Sequence, residues 1–208
     1  CFIKTGIKGA VMISGILLAA GESTRMEGAV KALLKVKGET FLEMICSRLW
    51  QAGVNEIVIV LGGRAREIMK AAVFSCEKVA LNRNYSRGQL SSLRVGLKNI
   101  SSGTEAVMMT LVDHPLVKAE TYHKLISAWQ KEKGKIYVPA YKGRKGHPVL
   151  FPSSVFKKLL KDDLPEGARS LIINYPEMTR FIEVDDRGVV TDIDTPEIYK
   201  EIVQSSAL

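Results

Sequence analysis

Short apolar runs that end on small or acidic residues, with helical patterns between them, limit this chain's fold more than any other feature. Ile13 to Ala19, Glu56 to Leu61 and Ala106 to Val112 are apolar almost throughout and bounded by turn residues. That is the pattern of strands buried on both faces. Behind Thr40 and Glu43, which spell a capping box, Phe41, Leu42, Ile45, Leu49 and Trp50 repeat at helical spacing. Further helices are predicted over Arg64 to Ala72, Ser91 to Ile100 and Ala119 to Glu132, with a strand at Lys78 to Leu81. Helices alternating with buried strands predict an α/β sandwich around a mostly parallel sheet. The second half changes character. Ile136 to Ala140 and Pro148 to Phe151 flank a glycine- and lysine-rich turn and read as a hairpin. Met178 to Val184 and Val189 to Ile193, joined by Asp185-Asp186-Arg187-Gly188, read as another, and Thr195-Pro196 opens a last helix.

With 208 residues, 46% of them apolar and 25% charged, the chain reads as a single domain over residues 12–208, and residues 1–11 as an extension ahead of Met12. No apolar run approaches the ~20 residues that span a bilayer, and no secretory signal precedes the first strand, so a cytoplasmic protein without membrane contact is expected. Cys1, Cys46 and Cys76 have no metal-type spacing and read as buried small hydrophobes. The net charge of +8 suits a protein that handles polyanions. Its 30 Lys and Arg are dispersed, however; the tightest cluster, Lys142 to Lys145, falls on a hairpin tip, and no aromatic platform accompanies it. Phosphorylated small molecules are therefore favoured over nucleic acid.

In open α/β sheets ligands gather at the carboxyl ends of the strands. The first strand runs into Leu18-Ala19-Ala20-Gly21-Glu22-Ser23-Thr24-Arg25-Met26-Glu27-Gly28-Ala29-Val30-Lys31. Small residues there let backbone N–H groups approach an anion, and Arg25 and Lys31 supply positive charge. The spacing is neither that of a P-loop nor Gly-x-Gly-x-x-Gly, so neither an ATPase nor a dehydrogenase follows. Asp113, in Leu111-Val112-Asp113-His114-Pro115, appears as a buried strand ends; it either holds Mg²⁺ against a triphosphate or caps the turn. Asp192 and Asp194 share a face if that segment is a strand, and Asp194 is also placed to begin the last helix. Asp185 and Asp186 read as turn chemistry. Asn82 to Ser92 is a polar loop entering a helix, suited to reading a base or to plain connection. His147, in Gly146-His147-Pro148, faces either an acceptor or the core. No Ser/His/Asp or Cys/His grouping supports covalent catalysis.

Five pieces recur together in order: Leu-Ala-Ala-Gly through Arg25 and Lys31, the Asn82 to Gly96 loop and helix, Val112 to Pro115, Gly146-His147-Pro148, and Asp192-Ile193-Asp194-Thr195-Pro196. With them the chain, from Ile13 to about Ile202, resembles the molybdenum-cofactor cytidylyltransferases and their nucleotidyltransferase relatives. The resemblance implies the Rossmann-like fold of the nucleotide-diphospho-sugar transferases and transfer of CMP from CTP to a molybdopterin-type phosphate. A guanylyl or sugar-phosphate transferase, or a non-catalytic cofactor chaperone, is the alternative. It implies that Leu18, Ala19, Ala20, Gly21, Ser23, Arg25, Lys31, Asn82, Gly88 and Ser92 bind nucleotide. Arg25, Lys31 and Asp113 would serve catalysis, Asp113 and Asp194 would hold Mg²⁺, and His147 would meet the acceptor. A molybdoenzyme would receive the product. One departure stands out: the family's glycine after Arg-Met is replaced by Glu27, ahead of Gly28.

Overall fold

A computed structural model describes residues 11–161 and 163–206, so nearly all of the expected extension lies outside the described residues, as does Cys1. Strand β1 (Ile13–Ala19) leads through the glycine-rich loop to a small antiparallel pair, β2 (Lys35–Val36) and β3 (Glu39–Thr40). Helix α1 (Phe41–Gln51) follows, with both halves of its capping box formed: Glu43 N donates to Thr40 Oγ1 and Thr40 N donates to Glu43. Then come β4 (Glu56–Leu61), α2 (Ala65–Ala71), β5 (Lys78–Leu81), α3 (Gln89–Asn99), β6 (Ala106–Leu111) and α4 (Ala119–Lys131). The rest comprises β7 (Ile136–Tyr141), β8 (Arg144–Lys145), β9 (Val149–Pro152), α5 (Phe156–Lys161), α6 (Arg169–Asn174), β10 (Thr179–Glu183) and α7 (Pro196–Ser206).

The central sheet runs β10-β7-β9-β6-β1-β4-β5, with β8 hairpinned onto β7. β6, β1, β4 and β5 are mutually parallel, as are β10 and β7, and β9 lies antiparallel between β6 and β7. Alternation along the strands divides the core in two. Leu17, Ile57, Ile59 and Met108 pack with Leu42, Ile45 and Leu49 of α1 and with Tyr122, Leu125 and Trp129 of α4. Ile16, Leu18, Val58, Val60 and Val107 pack on the other face with Leu93 and Leu97 of α3 and Leu159 of α5. At roughly 1.5–3 kcal/mol for each large side chain fully buried, these two layers are the main favourable term of the fold. This is the expected mostly parallel α/β sandwich. Among the described residues no helix is long and apolar enough to cross a membrane.

Two expectations are corrected. Residues 178–193 form no hairpin: β10 adds in parallel to β7, and Arg187–Val190 is a turn of 3-10 helix. The reason lies in Asp186, which is buried and accepts hydrogen bonds from Gly188 N, Lys118 N and Thr121 Oγ1. Two of these donors, Lys118 and Thr121, pin the chain to the start of α4, so Asp186 does more than shape a turn. Nor are the cysteines uniformly buried, since Cys46 lies in the core and Cys76 is exposed.

A smaller apolar cluster matters for the site. Val36, Phe41, Met44 and Ile193 pack with Ile198, Tyr199 and Ile202 of α7, and Tyr199 donates to the Lys35 carbonyl at 2.8 Å. The chain's last helix thereby closes back onto the segment just after Lys31.

Candidate active site

The loops after β1 and β6 and the entry to α3 enclose a cavity of about 270 Å³. Its wall includes Leu18, Ala19, Ala20, Gly21, Ser23, Lys31, Gly88, Ser92 and Asp113 from the sequence-based set. The loop departs from regular structure where the sequence predicts a tight turn. Ser23 and Glu27 sit in the left-handed region at φ 56° and 49°, and Gly28 at φ 91°. Glu27 is exposed, so the residue that replaces the family's glycine ends a short 3-10 turn (Thr24–Met26) with its side chain at the surface. The first cavity needs bare backbone beside it: a Cβ on Gly62 would lie 2.4 Å from the Ala20 carbonyl oxygen.

At the cavity floor Lys31 meets both predicted acids. Its Nζ contacts Asp194 directly and lies 3.9 Å from Asp113 Oδ2, while Arg25 reaches Asp194 at 2.9 Å. Residues 25, 31, 113 and 194 therefore form one cluster although 163 positions separate Lys31 from Asp194. The backbone sets this convergence, because Ile193 N donates to the Asp113 carbonyl at 2.8 Å and ties the two acidic segments together. The Lys31 and Asp194 side chains keep only 13% and 15% of their exposure, whereas that of Arg25 keeps 71%. Burial pushes the Asp113 carboxyl up, but the hydrogen bond with His114 and the electrostatic pull of His114 and Lys31 outweigh it and hold Asp113 below the usual carboxylate range.

A second cavity, of about 610 Å³, opens beside the first. Its floor is the sheet face at Met109, Val138, Val149 and Phe151, and His114, His147 and Asp192 also line it. His147 is held by its N–H bond to the Val189 carbonyl and by an edge contact with His114, ring centroids 5.0 Å apart. The approach of Val189 explains Gly146, where a Cβ would fall 1.9 Å from that carbonyl oxygen. Burial, with the neighbouring His114 charge, pushes His147 down to about 4, so it is neutral at pH 7. Its Nδ1 is buried without a hydrogen-bond partner among the described residues.

Asn82 behaves otherwise than a base reader. It is buried behind the first cavity, where its amide donates to Ser91 and Ser92 and its oxygen accepts from Asn84 N. Sequence reasoning named the Asn82 to Ser92 loop without singling out Tyr85 and Gln89, which stand on the cavity walls, and gave no role to Glu22, which accepts from the Tyr85 hydroxyl at 2.9 Å. A tyrosine and a glutamine inside a polar loop carry no periodic signal; only their place between a strand end and a helix start could have marked them.

A mostly parallel α/β sheet with an anion-suited loop after its first strand, and a lysine set between two acids, suits a nucleotidyltransferase, and the family match bears that class out. Residues 15–179 match the MobA-like NTP transferase domain, and the chain belongs to that family. It is 28% identical to nicotine blue oxidoreductase of Paenarthrobacter nicotinovorans, over 89% of this chain and 93% of that protein. It is likewise 28% identical to molybdenum cofactor guanylyltransferase of Vibrio atlanticus, over 88% and 92%. Among solved structures, Rv0371c of Mycobacterium tuberculosis superposes with a TM-score of 0.82 at 28% identity, covering 94% of this chain and 99% of that one; a further structure of Rv0371c is a complex with manganese.

Proposed function

We propose that this chain transfers CMP from CTP to the phosphate of a molybdopterin-type acceptor and releases pyrophosphate. The observation that carries this reading is the cluster itself, in which Lys31 on the wall of the first cavity contacts Asp194 and lies 3.9 Å from Asp113. The nucleotide would lie in that cavity with its phosphates against the loop backbone from Ala20 to Ser23 and against Lys31. The acceptor would fill the second cavity, beside His147. A phosphate nucleophile is ionised at neutral pH, so no general base is required, and a neutral His147 can orient the acceptor without taking its proton.

The donor set fits Mg²⁺. Asp113 and Asp194 converge on one ammonium, and this hard cation is usually held by one or two carboxylates, with substrate phosphate and water completing its shell. Among the described residues no group of three or more His, Cys, Asp or Glu could hold a metal, in keeping with a site that nucleotide oxygens would complete. When bound, the ion would neutralise charge on the phosphates. Lys31 would then exchange its carboxylate partners for phosphate oxygens, freeing Asp113 and Asp194 for the metal.

A second reading, with GTP as donor, is favoured by the name of the Vibrio relative. Pyrophosphate release measured with CTP or GTP, each with purified molybdopterin and with sugar phosphates, decides among donors and acceptors. Nucleotide binding without release in any combination would replace the transferase reading with a binding protein.

A further inference from the structure

Gln89 lines both cavities, the sole described residue to do so. It is the first residue of α3, is exposed, and makes no side-chain hydrogen bond to a described residue. The β6 loop bounds the same seam, since Asp113 lines the first cavity and the adjacent His114 lines the second. Two substrates seated in adjoining cavities react where those cavities meet. From this we infer that Gln89 is a catalytic residue whose carboxamide N–H donates to a non-bridging oxygen of the α-phosphate under attack.

The inference rests on the transferase reading. In the transfer an acceptor phosphate oxygen forms a bond to the α-phosphorus. The bond from that phosphorus to the bridging oxygen breaks, and its electron pair leaves with pyrophosphate. The phosphorus gains ligands on the way, and negative charge on its non-bridging oxygens is redistributed. A neutral donor that reaches that oxygen assists without holding either substrate strongly in the ground state. Lys31 and the loop backbone grip the nucleotide, and Gln89 is left to the step in which the two substrates share one atom.

Two measurements test this on the intact chain. In ¹⁵N-correlated spectra the Gln89 side-chain amide is the pair of cross-peaks absent from Gln89→Met; addition of CTP or GTP with Mg²⁺ should shift it, and inorganic pyrophosphate with Mg²⁺ should leave it in place. In turnover with purified molybdopterin, Gln89→Met should lower kcat roughly 10²-fold, the scale for loss of one oxyanion donor, while nucleotide Kd and acceptor KM change less than about threefold. Cross-peaks that stay put while those of Gly21 to Lys31 move, or a variant with wild-type kcat, overturn the role of Gln89. If neither nucleotide moves any peak of that loop, the transferase reading itself fails, and the two failures are told apart.

Discussion

The two cavities are built by different means. The first is made by chain termini of strands: residues 18–23 leave β1, residues 111–113 leave β6, and both strands belong to the parallel run. The second is floored by side chains from the sheet face and roofed by α6 and by segments 144–147 and 189–192. Backbone at the ends of parallel strands is placed by topology, so the first cavity can keep its shape through wide sequence change. A cavity of side chains can be refitted one residue at a time. On the proposed reading, nucleotide handling would then follow the family and acceptor choice the individual chain.

The sharpest test of this division is Asp113, which lines the first cavity next to His114 of the second and is the acid proposed to hold the metal. Asp113→Ala should reduce pyrophosphate release by about three orders of magnitude, on the scale of several kcal/mol of charge stabilisation, and leave the fold intact. The thermal midpoint reads the second half of that claim. Activity within tenfold of wild type would remove Asp113 from the chemistry and leave the cluster as a structural ion pair.

The next effect lies under the second cavity. Asp186 is buried with three donors, and its neighbour Asp185 is exposed. Loss of hydrogen bonds to a buried charge puts Asp186→Ala at roughly 2–4 kcal/mol of destabilisation in urea titration, against about 0.5 or less for Asp185→Ala. Since the same segment leads into Val189 and Ile193, Asp186→Ala should also weaken acceptor use more than nucleotide binding. Equal effects of the two alanines would restore the plain turn read from the sequence.

That pair also shows what the sequence can and cannot disclose. Strands β1, β4, β5 and β6 were legible, three of them because every residue is buried and the run is apolar but for Ser14, Glu56 and Thr110. β10 was legible as a strand but its partner was not: after Thr179 it alternates between half-buried and exposed positions at a sheet edge, and the apolar Val189-Val190 looks like its partner until Asp186 is seen to hold that segment elsewhere. At the candidate site, Asp113 was marked by following the buried strand β6 and Lys31 by closing the small-residue loop after β1, whereas Asp194 stood out only as an acid ahead of the last helix, a place that a helix start also explains. Asn82 shared its loop with true wall residues, and a polar side chain that serves the loop's own hydrogen bonds spells the same as one that serves a ligand.

A third effect comes from the opposite end of the sheet. Glu56, the first residue of β4, is buried among Ser14, Ser101 and the Lys78 ammonium. Burial pushes its carboxyl up, but the Lys78, Ser14 and Ser101 bonds prevail and hold it below its ordinary value. A depressed folded-state value means the stabilisation is complete above the unfolded value of about 4.3 and is lost as pH falls through the folded one. Glu56→Gln should cost about 1–3 kcal/mol at pH 7 and flatten the loss of stability below pH 5, with pyrophosphate release per folded molecule unchanged. A matching drop in turnover would show that the amino ends of the strands are coupled to the cavities.

The smallest effect probes how the first cavity is held open. Tyr85 donates to Glu22 between the loop after β1 and the entry to α3, over Gly63, where a Cβ would meet Glu22 Cγ at 2.7 Å. Glu22 stands between Gly21 and Ser23, which line the first cavity, and a carboxylate free to turn inward would repel a triphosphate bound there. Tyr85→Phe should therefore weaken CTP or GTP binding by about three- to tenfold, the scale of one net hydrogen bond, and leave nucleoside binding unchanged. Glu22→Gln removes the repulsion, so the double variant should bind triphosphate more tightly than Tyr85→Phe alone. Calorimetric Kd values for the four proteins read the sign of that coupling. Additive losses would make the pair a simple brace between loops, and the shape of the first cavity would then owe more to side chains than its strand ends suggest.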